Sequence, residues 1–266
     1  MFQRIAYASC PLCESKDTEE HRVGNCTDHP SYNAELLPPL MVWLKCRTCS
    51  HVYTEGYWSP DALAEIFKNT QQSQVLCSDM EIARQRSANL IDKVVRFTGI
   101  NGKWLDVGFG NGSLLFTALE YGFEPVGLEL RPEAAERMTA HGIRSYAKDI
   151  CELEGEGEFR VISMADVLEH MPFPIPALQA ARRLLKPDGV LFLSMPNMGA
   201  PVWAYHDAQK ANSYWHEIEH YHNFSRLRLY DLLFEADFTP IRYGVSERYT
   251  MCMEVIARAN RSSTST

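Results

Sequence analysis

Two cysteine pairs, Cys10-Pro-Leu-Cys13 and Cys46-Arg-Thr-Cys49, carry the most explicit chemistry in this sequence. Two residues between cysteines let both thiolates turn toward one tetrahedral ion at about 2.3 Å, with N–H groups of the turn offsetting their charge. Four thiolates complete the shell and leave no place for a reacting water. The expected ion is therefore a structural zinc, held by Cys10, Cys13, Cys46 and Cys49. A reduced, metal-free loop and a redox-active pair are the alternatives. His29 and His51 are substitute ligands in principle, but His51, two residues past Cys49, better suits the groups that hydrogen-bond the ligands. A second concentration lies at WHEIEHYH, which gathers His216, Glu217, Glu219, His220 and His222. A third is Trp104-Leu-Asp106-Val-Gly108-Phe-Gly110-Asn-Gly112, where three alternate glycines permit backbone angles and close approach that side chains forbid.

These groups need elements to position them. A chain of 266 residues suits one large domain or one and a half. The stretch between the cysteine pairs is polar, broken by Pro30, Pro38 and Pro39, and too poor in apolar residues to fold by burial alone. Ser59-Pro60 caps a helix, DALAEIFKN, and a helical stripe runs from Asp79 to Phe97 up to Gly99. From Lys103, apolar runs at 103–108, 125–130, 143–147, 159–165, 189–195, 239–245 and 250–258 alternate with helical patterns at 113–121, 132–141, 174–185 and 225–236. Pro187-Asp188-Gly189 is expected to turn and Ser225 to cap the last helix. Residues 196–224 show no clear strand and read as a long insertion able to build a substrate pocket. The expected organisation is a zinc-binding module at 1–57, a helical connector at 58–98, an α/β domain at 99–260 and a disordered tail at 261–266.

The glycine loop departs from the dinucleotide fingerprint. It reads GxGxG rather than GxGxxG, and Asp106 just before the first glycine repels phosphate and suits an ammonium group. Glu129, at the end of the next strand, is placed to accept both hydroxyls of a ribose. At these residues the sequence resembles the class I S-adenosylmethionine-dependent methyltransferases. The resemblance implies a Rossmann-like, seven-stranded sheet with helices on both faces, here preceded by a small zinc ribbon. It implies that Asp106, Gly108, Gly110 and Gly112 hold the methionine end of S-adenosylmethionine. Glu129, with Leu130 beside it, would take the ribose, Asp149 and Ile150 the adenine, and Asp166 would lie near the transferring methyl group. LLKPDGVLFLSMPN matches the family's helix, turn and fifth strand, whereas Phe109 replaces a small residue and is expected to alter the pocket floor. Each acid also has a plainer reading: Asp106 as a helix cap, Glu129 as a solvated strand end, Asp149 as a loop acid.

If the acceptor is an alcohol, a base must remove its proton. WHEIEHYHNFS resembles the EHxHxFS segment of methyltransferases that act on sugars and other small metabolites. His220 is the expected base, since imidazole titrates near working pH and Glu217 or Glu219 can orient it; His222 is second. The alternative is that these histidines bond backbone and position the helix at Ser225. Trp215, Tyr214 and Tyr221 would stack on a flat or sugar-like acceptor, or simply pack together. Asp166, Glu169 and His170 resemble the E-x-x-E-H segment of ubiquinone-pathway O-methyltransferases, which implies a further catalytic role for His170 and a divalent cation such as magnesium. Aspartate stands here in place of the first glutamate.

Charge narrows the acceptor. Lys and Arg total 26 against 34 Asp and Glu, a net −8, which disfavours nucleic acid as a partner. Residues 1–60 are themselves acidic, which counts against an RNA methyltransferase gripping RNA through its zinc module. A non-catalytic interaction protein on the same fold is opposed by the intact Asp106, Glu129 and Asp149. The absence of a signal-peptide core or an 18-residue apolar run predicts a cytoplasmic chain with no membrane partner. Cys26, Cys77, Cys151 and Cys252 are left as ordinary thiols.

Overall fold

The computed structural model describes residues 2–67, 75–249 and 251–260; the expected tail at 261–266 and the end of the first helix lie outside them. In chain order the structure runs through β1 (Ile5–Ala6), β2 (Thr18–Asn25), β3 (Leu40–Cys46), β4 (Val52–Thr54), β5 (Gly56–Tyr57), α1 (Pro60–Ile66) and α2 (Met80–Thr98). There follow β6 (Lys103–Val107), α3 (Ser113–Tyr121), β7 (Glu124–Leu128), α4 (Pro132–Ala140), β8 (Arg144–Tyr146), β9 (Phe159–Ala165) and α5 (Pro174–Leu184). The chain ends with β10 (Leu185–Pro196), α6 (Pro201–Ala208), β11 (His222–Asn223), α7 (Arg226–Glu235), β12 (Phe238–Val245) and β13 (Cys252–Ala259). Its contacts group residues 1–70 with 168–174 and 195–229 in one unit, and 71–167 with 175–194 and 230–266 in another.

The second unit is built on a seven-stranded sheet of order β12-β13-β10-β9-β6-β7-β8. β10, β9, β6, β7 and β8 run parallel, and β12 pairs antiparallel with β13. Parallel strands are covered on both faces, which is why β6 and β9 read as nearly continuous apolar runs. Trp104, Phe123, Val161, Val190, Phe192 and Ile256 pack with Leu90, Ile91 and Val94 of α2 in one core cluster. The chain leaves β6 in one direction for β7 and β8 and in the other for β9 and β10. Ligands of such sheets bind at the carboxyl ends of strands around that reversal. The 187–189 turn appears as a register shift inside β10, between Leu185 and Val190, so that strand begins earlier than its apolar run. Ser225 caps α7 by accepting the Arg228 N–H at 3.2 Å.

The first unit holds an antiparallel sheet of order β11-β4-β3-β2 and a β1–β5 pair. The segment expected to lack strands supplies β11, which pairs His222 with Tyr53 and Asn223 with Val52. It also supplies α6, opened by Pro201, and a 3-10 turn at Ser213–His216. That turn lies directly on the sheet. The Trp43 indole donates to the Trp215 carbonyl at 3.0 Å, and a Cβ on Gly24 would sit 1.8 Å from the same oxygen. Only glycine admits this approach. Trp58 donates in turn to the Ile218 carbonyl at 2.9 Å. No helix among the described residues is long and apolar enough to cross a membrane.

Candidate active site

The carboxyl edge of the parallel sheet collects the predicted acids. β6 ends in Asp106 and the glycine loop, β7 leads into Glu129, β8 is followed by Asp149, and β9 is followed by Asp166. Gly108, Gly110 and Gly112 adopt φ of 67°, 53° and 80°, and space is open around the Cα of Gly110. The loop is pinned to the end of β7, where the Gly108 N–H donates to the Leu128 carbonyl at 2.7 Å. Phe109 differs from its expected part in the pocket floor: its ring joins Leu115, Met138 and Ile143 in a buried apolar cluster. Gly127 accommodates it, since a Cβ there would lie 2.7 Å from the ring.

Asp106 is 3% exposed and accepts from the Ser163 hydroxyl at 2.6 Å; that hydroxyl also accepts from the Trp104 indole at 2.8 Å. Burial pushes its carboxyl up to about 7, against the pull of Ser163 and Arg248, while Glu129 adds to the rise. A carboxylate so desolvated is stabilised in its ionised form by a cation placed beside it. The same shift has a stability cost. A folded-state value above the unfolded one gives a contribution that is present below about pH 4 and lost as pH rises through about 7. Asp106→Asn, which keeps the Ser163 bond, is therefore expected to raise stability at pH 8 by up to about 4 kcal/mol. It is expected to weaken binding of a cationic ligand at the same time. Thermal melts at pH 5 and pH 8 check this; equal melting points for the two proteins at pH 8 would refute it.

Glu129 accepts from the Gly110 N–H at 3.3 Å and from the Arg131 guanidinium at 3.0 and 3.1 Å. It thus ties the glycine loop to the start of α4. Leu130 beside it is 70% exposed, whereas Ile150 is fully buried. Asp149 caps the 3-10 turn Ile150–Glu152, accepting from the Cys151 N–H at 2.8 Å, and Glu152 returns a bond to its N–H. Asp166 has φ of 57° and is locked to β10: its N–H donates to the Ser194 carbonyl at 2.8 Å and its Oδ1 accepts from the Ser194 hydroxyl at 2.9 Å. Its Oδ2 lies 3.3 Å from Arg248 Nη1, on the β12–β13 turn. Arg131 and Arg248 escaped the sequence reading, since no motif marks them.

In the first unit the expected base sits within a cluster of histidines and glutamates. His220 is 6% exposed, and its ring lies edge-on to His170 at 4.5 Å and stacks on Tyr214 at 6.0 Å. Its Nδ1 is buried and has no hydrogen-bond partner among the described residues. Burial, then His170, lowers its value to about 3, so the ring is neutral at working pH and does not titrate near it as the sequence led one to expect. His170 Nδ1 donates to the Glu219 carbonyl at 3.1 Å, which leaves Nε2 as the lone-pair nitrogen. His222 is engaged at both nitrogens, by His51 at 3.0 Å and by the Met171 carbonyl at 2.9 Å, and has none left for a substrate proton. Two residues the sequence did not single out for this cluster join it: His29 bonds Glu217, and the Ser31 hydroxyl donates to Glu219 at 3.1 Å. Glu217 is held down to about 2: burial opposes ionisation but is outweighed by His29, His220 and His170. His29, Glu217 and Glu219 bring one ligand atom each within 4.8 Å of one another, as do Glu169, His170 and His220. His29 Nδ1 accepts from the Ser31 N–H at 3.1 Å, so Nε2 carries the proton and donates to Glu217.

The four cysteines of the two pairs converge, with all four sulfurs within 4.8 Å of one another. Cys10 and Cys49 are 3.7 Å apart and Cys13 and Cys46 3.5 Å, against about 3.8 Å across a tetrahedral zinc shell. The donor set fits zinc. The Cys49 N–H donates to Cys46 Sγ at 3.5 Å; burial raises the Cys46 thiol, yet its hydrogen bonds bring it down to about 7.

Comparisons with known proteins bear on the family and the fold. A protein-family model described as a methyltransferase domain matches residues 82–243. A ubiquinone biosynthesis O-methyltransferase of Xanthomonas oryzae pv. oryzae is 35% identical over 108 residues, covering 38% of this chain and 45% of that protein. The chain thus spans less than half the length of that relative. The structure of 1,6-didemethyltoxoflavin-N1-methyltransferase of Burkholderia thailandensis, solved with 1,6-didemethyltoxoflavin and S-adenosylhomocysteine, superposes with a TM-score of 0.54 at 24% identity. It covers 68% of this chain and 80% of the other. A Pyrococcus horikoshii protein gives 0.57 at 17% identity, covering 74% and 99%. These likenesses show the Rossmann-like methyltransferase fold, and since the family model spans more than half of its residues, the chain belongs to the methyltransferase-domain family.

Proposed function

We propose that the chain transfers a methyl group from S-adenosylmethionine to a small molecule, through oxygen, with His220 as the base. The observation that carries this reading is the convergence of Asp106, the glycine loop, Glu129, Asp149 and Asp166 on one sheet edge, with Asp106 desolvated and poised for a cation. The donor supplies an electrophilic methyl on a sulfonium. Asp106 balances its positive end, Glu129 accepts from the ribose hydroxyls, and Asp149 with Ile150 borders the adenine. Fixing the donor this firmly lowers the barrier mainly by alignment. His220, neutral, takes the acceptor's proton, and ionised Glu217 stabilises the imidazolium that results. His170 borders the acceptor. The relative's name supports oxygen as the methylated atom. The histidine segment supports a sugar or specialised metabolite. The four cysteines hold zinc in a structural role, with residues 1–57 as the metal module. No step is routed through magnesium here; Asp166 bonds Ser194 and Arg248, while Glu169, His170 and His220 bring ligand atoms within 4.8 Å of one another.

Incubating the full chain with methyl-labelled S-adenosylmethionine and a cell extract tests the proposal. A small molecule heavier by one labelled methyl is the expected product. Label confined to the RNA fraction would replace the reading with an RNA methyltransferase.

A further inference from the structure

Two buried histidines that take no part in the proposed chemistry link the second cysteine knuckle to the histidine cluster. The His51 N–H donates to Cys49 Sγ, and its carbonyl accepts from the Cys46 N–H at 2.9 Å. Its ring Nε2 lies 3.0 Å from His222 Nδ1, and His222 Nε2 lies 2.9 Å from the Met171 carbonyl. A carbonyl only accepts, so the His222 proton sits on Nε2, its Nδ1 is bare, and His51 Nε2–H must donate to it. The direction of both bonds is thereby fixed, from the knuckle to the residue after His170. His51 and His222 are 1% and 0% exposed, and Phe224 packs against both rings at 5.0 and 5.7 Å. Backbone bonds run alongside: Thr54 N–H to the Tyr221 carbonyl at 3.0 Å and Tyr221 N–H to the Glu169 carbonyl at 2.8 Å.

We propose that His51 and His222 form a rigid strut through which the metal-bound knuckle fixes residues 168–171 and 219–222. His51 is then a positioning residue for His170 and His220, and the zinc module is part of the catalytic apparatus as well as a folding device. Both rings are enclosed and packed against Phe224, so the two bonds are shielded from water. The catalytic half of this inference rests on His220 acting as base; the structural half does not.

The test compares His51→Phe, which keeps the ring volume without a donor, with His51→Gln, which returns an N–H near the position of Nε2. Both are studied in the whole 266-residue chain, loaded with zinc. Zinc content and S-adenosylhomocysteine affinity are expected to match the wild type in each. In His51→Phe, kcat is expected to fall about tenfold or more, the range seen when groups behind ligands are removed. Amide hydrogen exchange at 168–171 and 219–223 is expected to quicken at least as much, and His51→Gln is expected to recover most of both. Wild-type exchange in His51→Phe would overturn the strut whatever the turnover. Faster exchange in a chain that methylates no acceptor would uphold the strut and remove His220 from catalysis. Should His51→Phe fail to fold, His51→Asn, whose shorter side chain withdraws the donor from His222, is compared with His51→Gln on the same readouts.

Discussion

Replacing His220 by alanine is expected to lower kcat by about 10²- to 10⁴-fold while the affinity for S-adenosylhomocysteine stays within error. The magnitude follows from what the residue does. A positioned base contributes to the proton step alone, and the groups proposed to hold the donor, Asp106 and Glu129, belong to the α/β sheet. The pH dependence sharpens the expectation. Burial keeps His220 neutral above about pH 3, so it gives no loss of kcat as pH falls from 8 to 5. Asp106, held up to about 7, does titrate in that window. Donor affinity should therefore weaken as pH falls below 7 while kcat at saturating donor holds steady. A kcat limb near pH 6.5 would mean that His220 is solvated, contrary to its buried ring. Unchanged turnover in His220→Ala would remove it from the mechanism.

The second large effect is expected from the metal. Converting Cys46 and Cys49 to serine is expected to abolish bound zinc and unfold the first unit, as judged by metal analysis and by proteolysis of residues 1–57. Structural zinc contributes about 10–16 kcal/mol in small zinc-dependent folds, as much as a typical domain's whole stability of about 5–15 kcal/mol. The first unit is expected to depend on the site because its sheet is anchored there: Cys46 ends β3 and pairs with Thr18, and His51 opens the way into β4. His29 and Ser31, which bond Glu217 and Glu219, sit on the loop between the two knuckles. Loss of zinc should therefore stop turnover far more completely than it weakens donor binding. A metal-free variant that resists proteolysis like the wild type would show that burial alone holds the module.

The parts of the molecule legible in the sequence are those whose signal is local. The strand at 103–108, the glycine turn and the helix at 113–121 appear almost at their expected bounds, because period, glycine spacing and caps all lie within a few residues. The four cysteines were legible for the same reason. β11 was not, since its two residues are a strand only through Tyr53 and Val52, far away in sequence. The His29–Glu217 contact spans 188 positions and leaves no trace in either segment. His222 illustrates the limit within a motif. Its spacing from His220 suggested a second base, but the tertiary structure engages both of its nitrogens. Asp149 is similar: the sequence placed it correctly after β8, and only the structure shows one oxygen committed to a helix cap. Glu129 was read as a ribose acceptor, and its bidentate hold on Arg131 emerges only from packing.

Calorimetric titration of the 266-residue chain with S-adenosylhomocysteine, alongside the Asp106→Ala, Glu129→Ala double variant, tests whether the acids at the carboxyl edge of the sheet hold the donor. One site per chain is expected in the wild type, with affinity lower by about a hundredfold or more in the variant, as when charge-assisted hydrogen bonds to a ligand are removed. No binding by the wild type, or undiminished affinity in the variant, would contradict it.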